Sequence, residues 1–359
     1  MPRRFFLFIY FQPSTLAKFL ESPPMVLKGG GVSARFSPDG TLIASGGREE
    51  SGDETNYMVR LWNAKSGEIV KTLVADYVRS LSFSPDGRFL AAAVGSETNT
   101  VLLWEVESGN LVNTLVGHTD TINSVSFSPD SQFLVSGSSD KTVRLWKAEA
   151  GTASVLCEVK TFQSRKVNAV AFSPDGKHVI GGTDLQVLMW NVDSGENVKN
   201  FSVKEKRGTT VRDILSVAFS NDGQRIVSGH GDRKTRVWDV ASEEVTQTLP
   251  VDLAHSVSFS SDDLHVITGS KYSTIAIWEV NLDPNPLYPL FDLKYKEVKK
   301  IKKSDGIDPE DITTQGDRQF LSTGNSKWLS GGGLISCAIS PDGQRLVAGL
   351  ADGTLRVMG

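Results

Sequence analysis

One five-residue segment, repeated along the chain, constrains the fold more than any other feature. Phe36-Ser37-Pro38-Asp39-Gly40 returns as Phe83-Ser84-Pro85-Asp86-Gly87, and in varied form at Phe127 to Ser131, Phe172 to Gly176, Phe219 to Gly223, Phe259 to Asp263 and Ile339 to Gly343. The successive spacings of these seven copies are 47, 44, 45, 47, 40 and 80 residues. Self-similarity at a period of about 40 to 45 residues means that one supersecondary unit is being stacked. A single unit of that size cannot bury its own apolar faces, so the copies must pack on one another.

Each copy sits in the same local grammar. A short strand such as Val167-Asn168-Ala169-Val170-Ala171-Phe172 precedes the turn. In the turn, Pro presets φ, Asp bonds its local backbone and Gly accepts positive φ. A second strand follows, as in Phe133-Leu134-Val135-Ser136-Gly137, and then the polar turn Ser138-Ser139-Asp140-Lys141. A third strand ends in Trp, as in Thr142-Val143-Arg144-Leu145-Trp146, and a fourth alternates, as in Leu111-Val112-Asn113-Thr114-Leu115. The unit is a four-stranded antiparallel meander. Bulky Val or Phe next to Ser or Ala in the inner strands suits blades that bury both faces. The fold class is therefore all-β, a seven-bladed β-propeller.

These residues resemble the WD-repeat family over residues 24 to 359. The third-strand Trp recurs at Trp62, Trp104, Trp146, Trp190, Trp238 and Trp278, while the Asp after it survives only at Asp239. The resemblance implies a buried polar tetrad in each blade: a His from the loop entering the first strand, an Asp of the second turn, a Ser or Thr of the second strand, and the Trp indole. Blade 3 alone supplies all four, as His118, Ser136 (with Ser138 the other candidate), Asp140 and Trp146. Asp184, Asp232 and Asp352 hold the Asp place in blades 4, 5 and 7, which lack the entering His. A satisfied network of this kind rigidifies a blade, but with one complete copy the ring must rely mostly on packing.

The chain stops at the end of the seventh third strand, with Met358 where Trp is expected. The missing fourth strand is expected from Pro24 to Gly29, which latches the ring and removes a sheet edge. Residues 1 to 23 form an extension. Its Arg3-Arg4 start and apolar Phe5 to Phe11 run read as a docked element, a secretory signal or an imperfect start site.

The repeat is broken in three places on the face that carries the turns between strands two and three, here called the top. Residues 294 to 332 account for the 80-residue spacing and open with six lysines in ten residues: Lys294, Lys296, Lys299, Lys300, Lys302 and Lys303. This insertion is either a docking element for an acidic partner surface, a solvated loop whose basic and acidic halves pair, or a degenerate eighth blade. Blade 1 has a long acidic second turn with Arg48, Glu49, Glu50 and Asp53. The loop from blade 4 into blade 5 carries Lys204, Lys206 and Arg207. Each of these is a candidate protein-binding patch or a merely solvated run.

An enzyme needs convergent titratable groups. Of the five histidines, His178 and His265 fall in second strands, His255 in a first strand and His118 in the tetrad; only His230 is read as lying in a top turn, without a nucleophile partner. No phosphate-binding loop and no nucleophile elbow are present in the sequence. No cofactor or metal is implied. A net charge of -4 gives no reason to expect nucleic acid or membrane. Cys157 and Cys337 are far apart, which fits a reducing compartment, the cytoplasm or the nucleus. The family resemblance implies a non-catalytic scaffold, a monomeric propeller within a larger complex, binding proteins or peptides on its top face. The alternatives are a sensor domain of a larger signalling protein and, last, a propeller enzyme using His230.

Overall fold

The computed structural model describes residues 24–29, 31, 33–51, 54–95, 98–148, 155–160, 165–203, 213–251, 253–270, 274–280, 291–292, 295–297, 312–315, 318–322 and 334–359, with side chains left aside at 48–51, 54–56, 155–160, 274 and 291–322. Seven antiparallel sheets stand around a central channel, and five of them are built wholly in chain order from the first strand outward. Blade 3 shows the plan: Ile122–Phe127, Phe133–Ser138, Thr142–Lys147 and Val155–Lys160 pair in sequence. Among the described residues there is no helix.

The sequence produces this shape through matched large and small residues on facing blades. The second strand of blade 2, Phe89–Val94, is buried at every position. A Cβ added to Gly137 in blade 3 would lie 2.5 Å from a Val167 methyl of blade 4, and one added to Gly182 in blade 4 would lie 2.6 Å from Ile214 of blade 5. Val78, Val167, Ile214 and Leu334, which open their first strands, thus each seat against a glycine notch of the preceding blade. Burying such side chains contributes about 1.5–3 kcal/mol each, and these contacts, repeated round the ring, form the core.

The turns behave as their composition dictates. In blade 2 the Ser84 hydroxyl donates to Asp86 at 2.6 Å and accepts the Phe89 amide at 2.8 Å, while Gly87 takes φ 73°. The Ser173 hydroxyl holds the Asp175 carboxyl below the usual range in the equivalent turn, against a smaller opposing push from burial.

Two devices tie blade to blade. The third position of the first strand is Ser33, Ser80, Ser124, Ser216, Ser256 and Ser336 in all blades but the fourth, which has Ala169. Backbone amides of the following blade donate to these hydroxyls: Leu81 to Ser33 at 3.2 Å, Val125 to Ser80 at 3.3 Å, Val170 to Ser124 at 3.1 Å, Val257 to Ser216 at 3.1 Å and Ala34 to Ser336 at 3.0 Å. Ser256 donates instead to the Cys337 carbonyl at 3.0 Å. The second device is an arginine after the turn. Arg345 reaches from blade 7 to the Gly40 and Ala64 carbonyls of blade 1 at 2.7 and 3.0 Å and stacks 5.5 Å from the Phe36 ring. Arg225 does the same from blade 5, bonding the Asp263 carbonyl at 2.9 Å over Phe259.

The ring closes on its N-terminal strand. Met25–Lys28 is the fourth strand of blade 7, paired antiparallel to Thr354–Met358 with Met25 opposite Val357 and Lys28 opposite Thr354. The Gly29 amide continues the seam to the Gly353 carbonyl at 3.0 Å.

Two sequence readings change here. The acidic segment of blade 1 is not a turn: Leu42–Ser51 and Glu54–Asn63 form a ten-residue hairpin in which Arg48, Glu49 and Glu50 pair with Tyr57, Asn56 and Thr55. In the insertion before blade 7 the described residues are strands, and they add to blade 6 and do not form a blade of their own. These pieces, Tyr295–Glu297, Arg318–Ser322 and Ile312–Gln315, extend the sheet of blade 6 outward beyond Phe291–Asp292 to seven strands. Gly-rich and charged composition masked both, because strand pairing out to a sheet edge is decided by available partners and only weakly by propensity.

Candidate functional site

The most concentrated polar chemistry lies inside the blades. In blade 3 the indole Nε1–H of Trp146 donates to Ser136 Oγ at 2.8 Å, and Ser136 Oγ lies 2.7 Å from His118 Nε2. His118 Nδ1 is 2.7 Å from Asp140 Oδ2. Since Ser136 accepts from the indole, its own proton goes to Nε2, which leaves the Nδ1 proton to bond the carboxylate; the tautomer is assigned from this donor chain. Asp140 also accepts from the Thr142 hydroxyl at 2.7 Å and the Thr119 amide at 3.1 Å. Burial pushes its carboxyl up, but the bonds from Thr142 and His118 outweigh that and hold it low. Ser138, the other serine at hand, bonds the Asp120 and Thr121 carbonyls instead.

The order Ser–His–Asp is also that of a hydrolase triad, so its chemistry must be weighed. A nucleophilic serine needs an approachable Oγ beside a reacting carbon and an oxyanion site. Ser136 is 0% exposed and its oxygen is already taken by the indole. The constellation is a strut closed to substrate.

Blade 5 builds a second version from other positions. The Trp238 indole donates to Ser228 Oγ at 2.7 Å, and Ser228 lies 2.8 Å from Nε2 of His230. His230 is therefore not in a top turn. It ends the strand Arg225–His230, points inward and is 1% exposed. Burial is the main cause, with the Arg236 charge second, of a pKa lowered to about 3. Its Nδ1 finds no partner among the described residues. Asp232, which would bond it in the blade 3 plan, is clamped by Arg236 through both guanidinium nitrogens, one at 3.2 Å. A neutral, enclosed imidazole has no route to act as a general base on a substrate.

The other blades keep parts of the scheme. Trp62 and Trp278 donate to Ser45 and Thr268 at 2.8 and 2.9 Å. Blades 2 and 4 have Ala92 and Gly181 at that place, and a Cβ at Gly181 would press 2.8 Å from the Trp190 ring. Asp184 is pushed up by burial and by the charge of Asp213, with Arg165 at 3.9 Å opposing. Asp352 accepts the Thr354 amide at 2.9 Å within its own turn.

The candidate protein-binding residues divide differently. Arg48, Glu49 and Glu50 lie on the blade 1 hairpin and Lys296 lies on a strand of the blade 6 extension. Asp53, Lys204, Lys206, Arg207, Lys294, Lys299, Lys300, Lys302 and Lys303 fall outside the described residues. Among the described residues no three His, Cys, Asp or Glu side chains gather to hold a metal ion. The column of serines described above is not among the residues the motif singles out, although one residue type at one strand position in six of seven blades is a visible signal.

Known proteins add the following. The family described as WD domain, G-beta repeat matches residues 22–63, 67–105, 109–147, 156–191, 202–239, 246–279 and 326–357. The chain is similar to Protein Rae1 of Drosophila melanogaster, 29% identical over 111 residues covering 30% of each chain. It is similar to the U5 small nuclear ribonucleoprotein 40 kDa protein of Dictyostelium discoideum, 30% identical over 30% of this chain and 29% of the relative. With small ribosomal subunit protein RACK1 of Caenorhabditis elegans it shares 28% identity over 49% of this chain and 44% of the relative. The matches thus span less than half the length of these relatives.

Proposed function

Because the chain belongs to the WD domain, G-beta repeat family, we propose that it is a non-catalytic protein–protein interaction scaffold, a subunit or adaptor of a multiprotein assembly. One observation carries this reading. The outer strands of three consecutive blades expose an arc of large apolar side chains: Val26 at 48% on blade 7, Ile69 at 51% and Val74 at 86% on blade 1, and Leu111 at 51% and Val116 at 64% on blade 2. Exposed apolar side chains grouped on adjacent elements mark an interaction surface, and an outer strand also offers unpaired backbone groups to a partner. Two of the relatives are named as parts of larger particles, a small ribosomal subunit and a small nuclear ribonucleoprotein. The basic insertion at 294 to 332 and the blade 1 hairpin are the second docking region in this reading.

The test is affinity purification with mass spectrometry of the wild type, a Val74→Lys/Val116→Lys double variant and a deletion of 294 to 332. The expected result is that each variant loses a distinct subset of partners while keeping its fold by circular dichroism. A wild-type protein that retains no partner above an empty control would overturn the scaffold reading.

A further inference from the structure

We propose that the central channel is a binding site for a small phosphate-bearing anion, held by Arg35 and Arg79. The channel encloses about 840 Å³ and is walled by the first strands of all seven blades. That volume suits a small molecule. The chain holds 42 Asp and Glu residues, yet the described wall contains no carboxylate. It contains two guanidinium groups, from Arg35 on blade 1 and Arg79 on blade 2, with His255 on blade 6.

Arg35 is the outlier of its column. The same strand position in the other blades is Ser82, Ser126, Ala171, Ala218, Ser258 and Ala338, all small. Its Nη1 bonds the Ala34 carbonyl of its own strand at 2.9 Å, and among the described residues it faces no carboxylate. Burial in the wall lowers its pKa. Arg79 is exposed and lies over the Tyr77 ring at 5.7 Å, and among the described residues it too has no acidic partner. By contrast, Arg236 has Asp232 and Arg345 has two carbonyls on blade 1. Arg35 is half-buried, and a guanidinium with reduced access to water and no carboxylate beside it gains when an anion joins it.

The serine column supplies the remaining donors. Ser33, Ser80, Ser124 and Ser216 line the channel and spend their oxygens accepting amides from the next blade. Among the described residues their hydroxyl protons meet no acceptor in the wall, so they can point at an oxygen-rich guest. Guanidinium forks plus hydroxyl donors match phosphate oxygens better than a single carboxylate.

The test uses the full chain with sodium pyrophosphate, against sodium sulfate and sodium chloride at equal ionic strength, read by thermal shift and isothermal titration. A fluorescent phosphoserine peptide forms a separate arm. Pyrophosphate is expected to raise Tm saturably, with affinity falling about tenfold in Arg35→Gln and several-fold in Arg79→Gln. Lys65→Gln, which removes an exposed charge on the outer part of blade 1, is expected to leave binding unchanged. Without anion, Arg35→Gln should melt at the same temperature or higher. Equal shifts from sulfate and chloride, unchanged affinity in Arg35→Gln, or binding of the peptide but not of pyrophosphate would each overturn the proposal. Should Arg35→Gln fail to fold, the ³¹P line of pyrophosphate decides: it should broaden with wild type and sharpen with Arg79→Gln, and an equal width with both rejects the site.

Discussion

Blades 3 and 5 hold the same four residue types, Trp, Ser, His and Asp, and wire them differently. In blade 3 the histidine arrives from the loop before the first strand, so one side chain joins that loop to the second strand, the second turn and the third strand. In blade 5 the histidine sits two residues after the serine on the same strand and joins nothing distant. The displaced aspartate is taken over by Arg236. The serine–indole bond is common to both, so it is the constant of the scheme, while the histidine is the variable. What a polar network adds to a blade depends on how many separate segments it ties, more than on which residues it contains.

Four experiments bear on this contrast, the most disruptive first. His118→Ala should destabilise the protein by about 3 kcal/mol, because it removes one bond to Asp140, leaves the buried Ser136 hydroxyl without its acceptor and opens a cavity; a urea midpoint no lower than that of His230→Ala would break the comparison. Arg236→Met leaves Asp232 without its clamp and should cost about 2 kcal/mol by the same measurement, somewhat less because Asp232 is partly exposed. Acid comes next. His230 has its folded pKa lowered to about 3 from the ordinary 6.5. Above that ordinary value the imidazole is neutral in both states. Below it the unfolded chain takes a proton that the folded one refuses. Stability present at neutral pH is therefore lost as pH falls toward 3, by up to about 1.4 kcal/mol per pH unit. His230→Gln should flatten this part of the pH–stability curve, and a curve parallel to wild type would show that the imidazole is not held neutral. The smallest effect concerns the junction of blades 4 and 5, where the serine column is interrupted. Ala169→Ser should add about 0.5 kcal/mol if its hydroxyl takes an amide of blade 5 as its counterparts do, measured as a rise in Tm.

Much of the ring was legible because the repeat fixes register seven times over. The Trp positions, the Pro-Asp-Gly turns and the latch at Pro24 to Gly29 all follow from aligning one copy on another. The place of His230 is hidden for a physical reason: the repeat brings its His from the entering loop, and the same imidazole nitrogen can reach the serine from two residues along the strand. The Ser228 to Trp238 interval equals that of Ser136 to Trp146, which was the available clue. The long hairpin at Arg48 to Glu50 was hidden because each strand lends the other its partner, a relation that acidic, Gly-containing composition does not display. Arg35 was visible as a long side chain in a column of small ones, but its meaning needed the channel.

The latch has a consequence in time. The strand Met25–Lys28 is synthesised first among the blades and its partner Thr354–Met358 last. With roughly 330 residues between them and translation at about 5 to 20 residues per second, the wait is on the order of 15 to 65 seconds. Six blades have ample time to collapse during that interval, while the first strand stays idle with an open edge beside them. When this molecule first becomes a ring is therefore set by the arrival of its final strand at the ribosome exit, and not by how quickly any single blade forms.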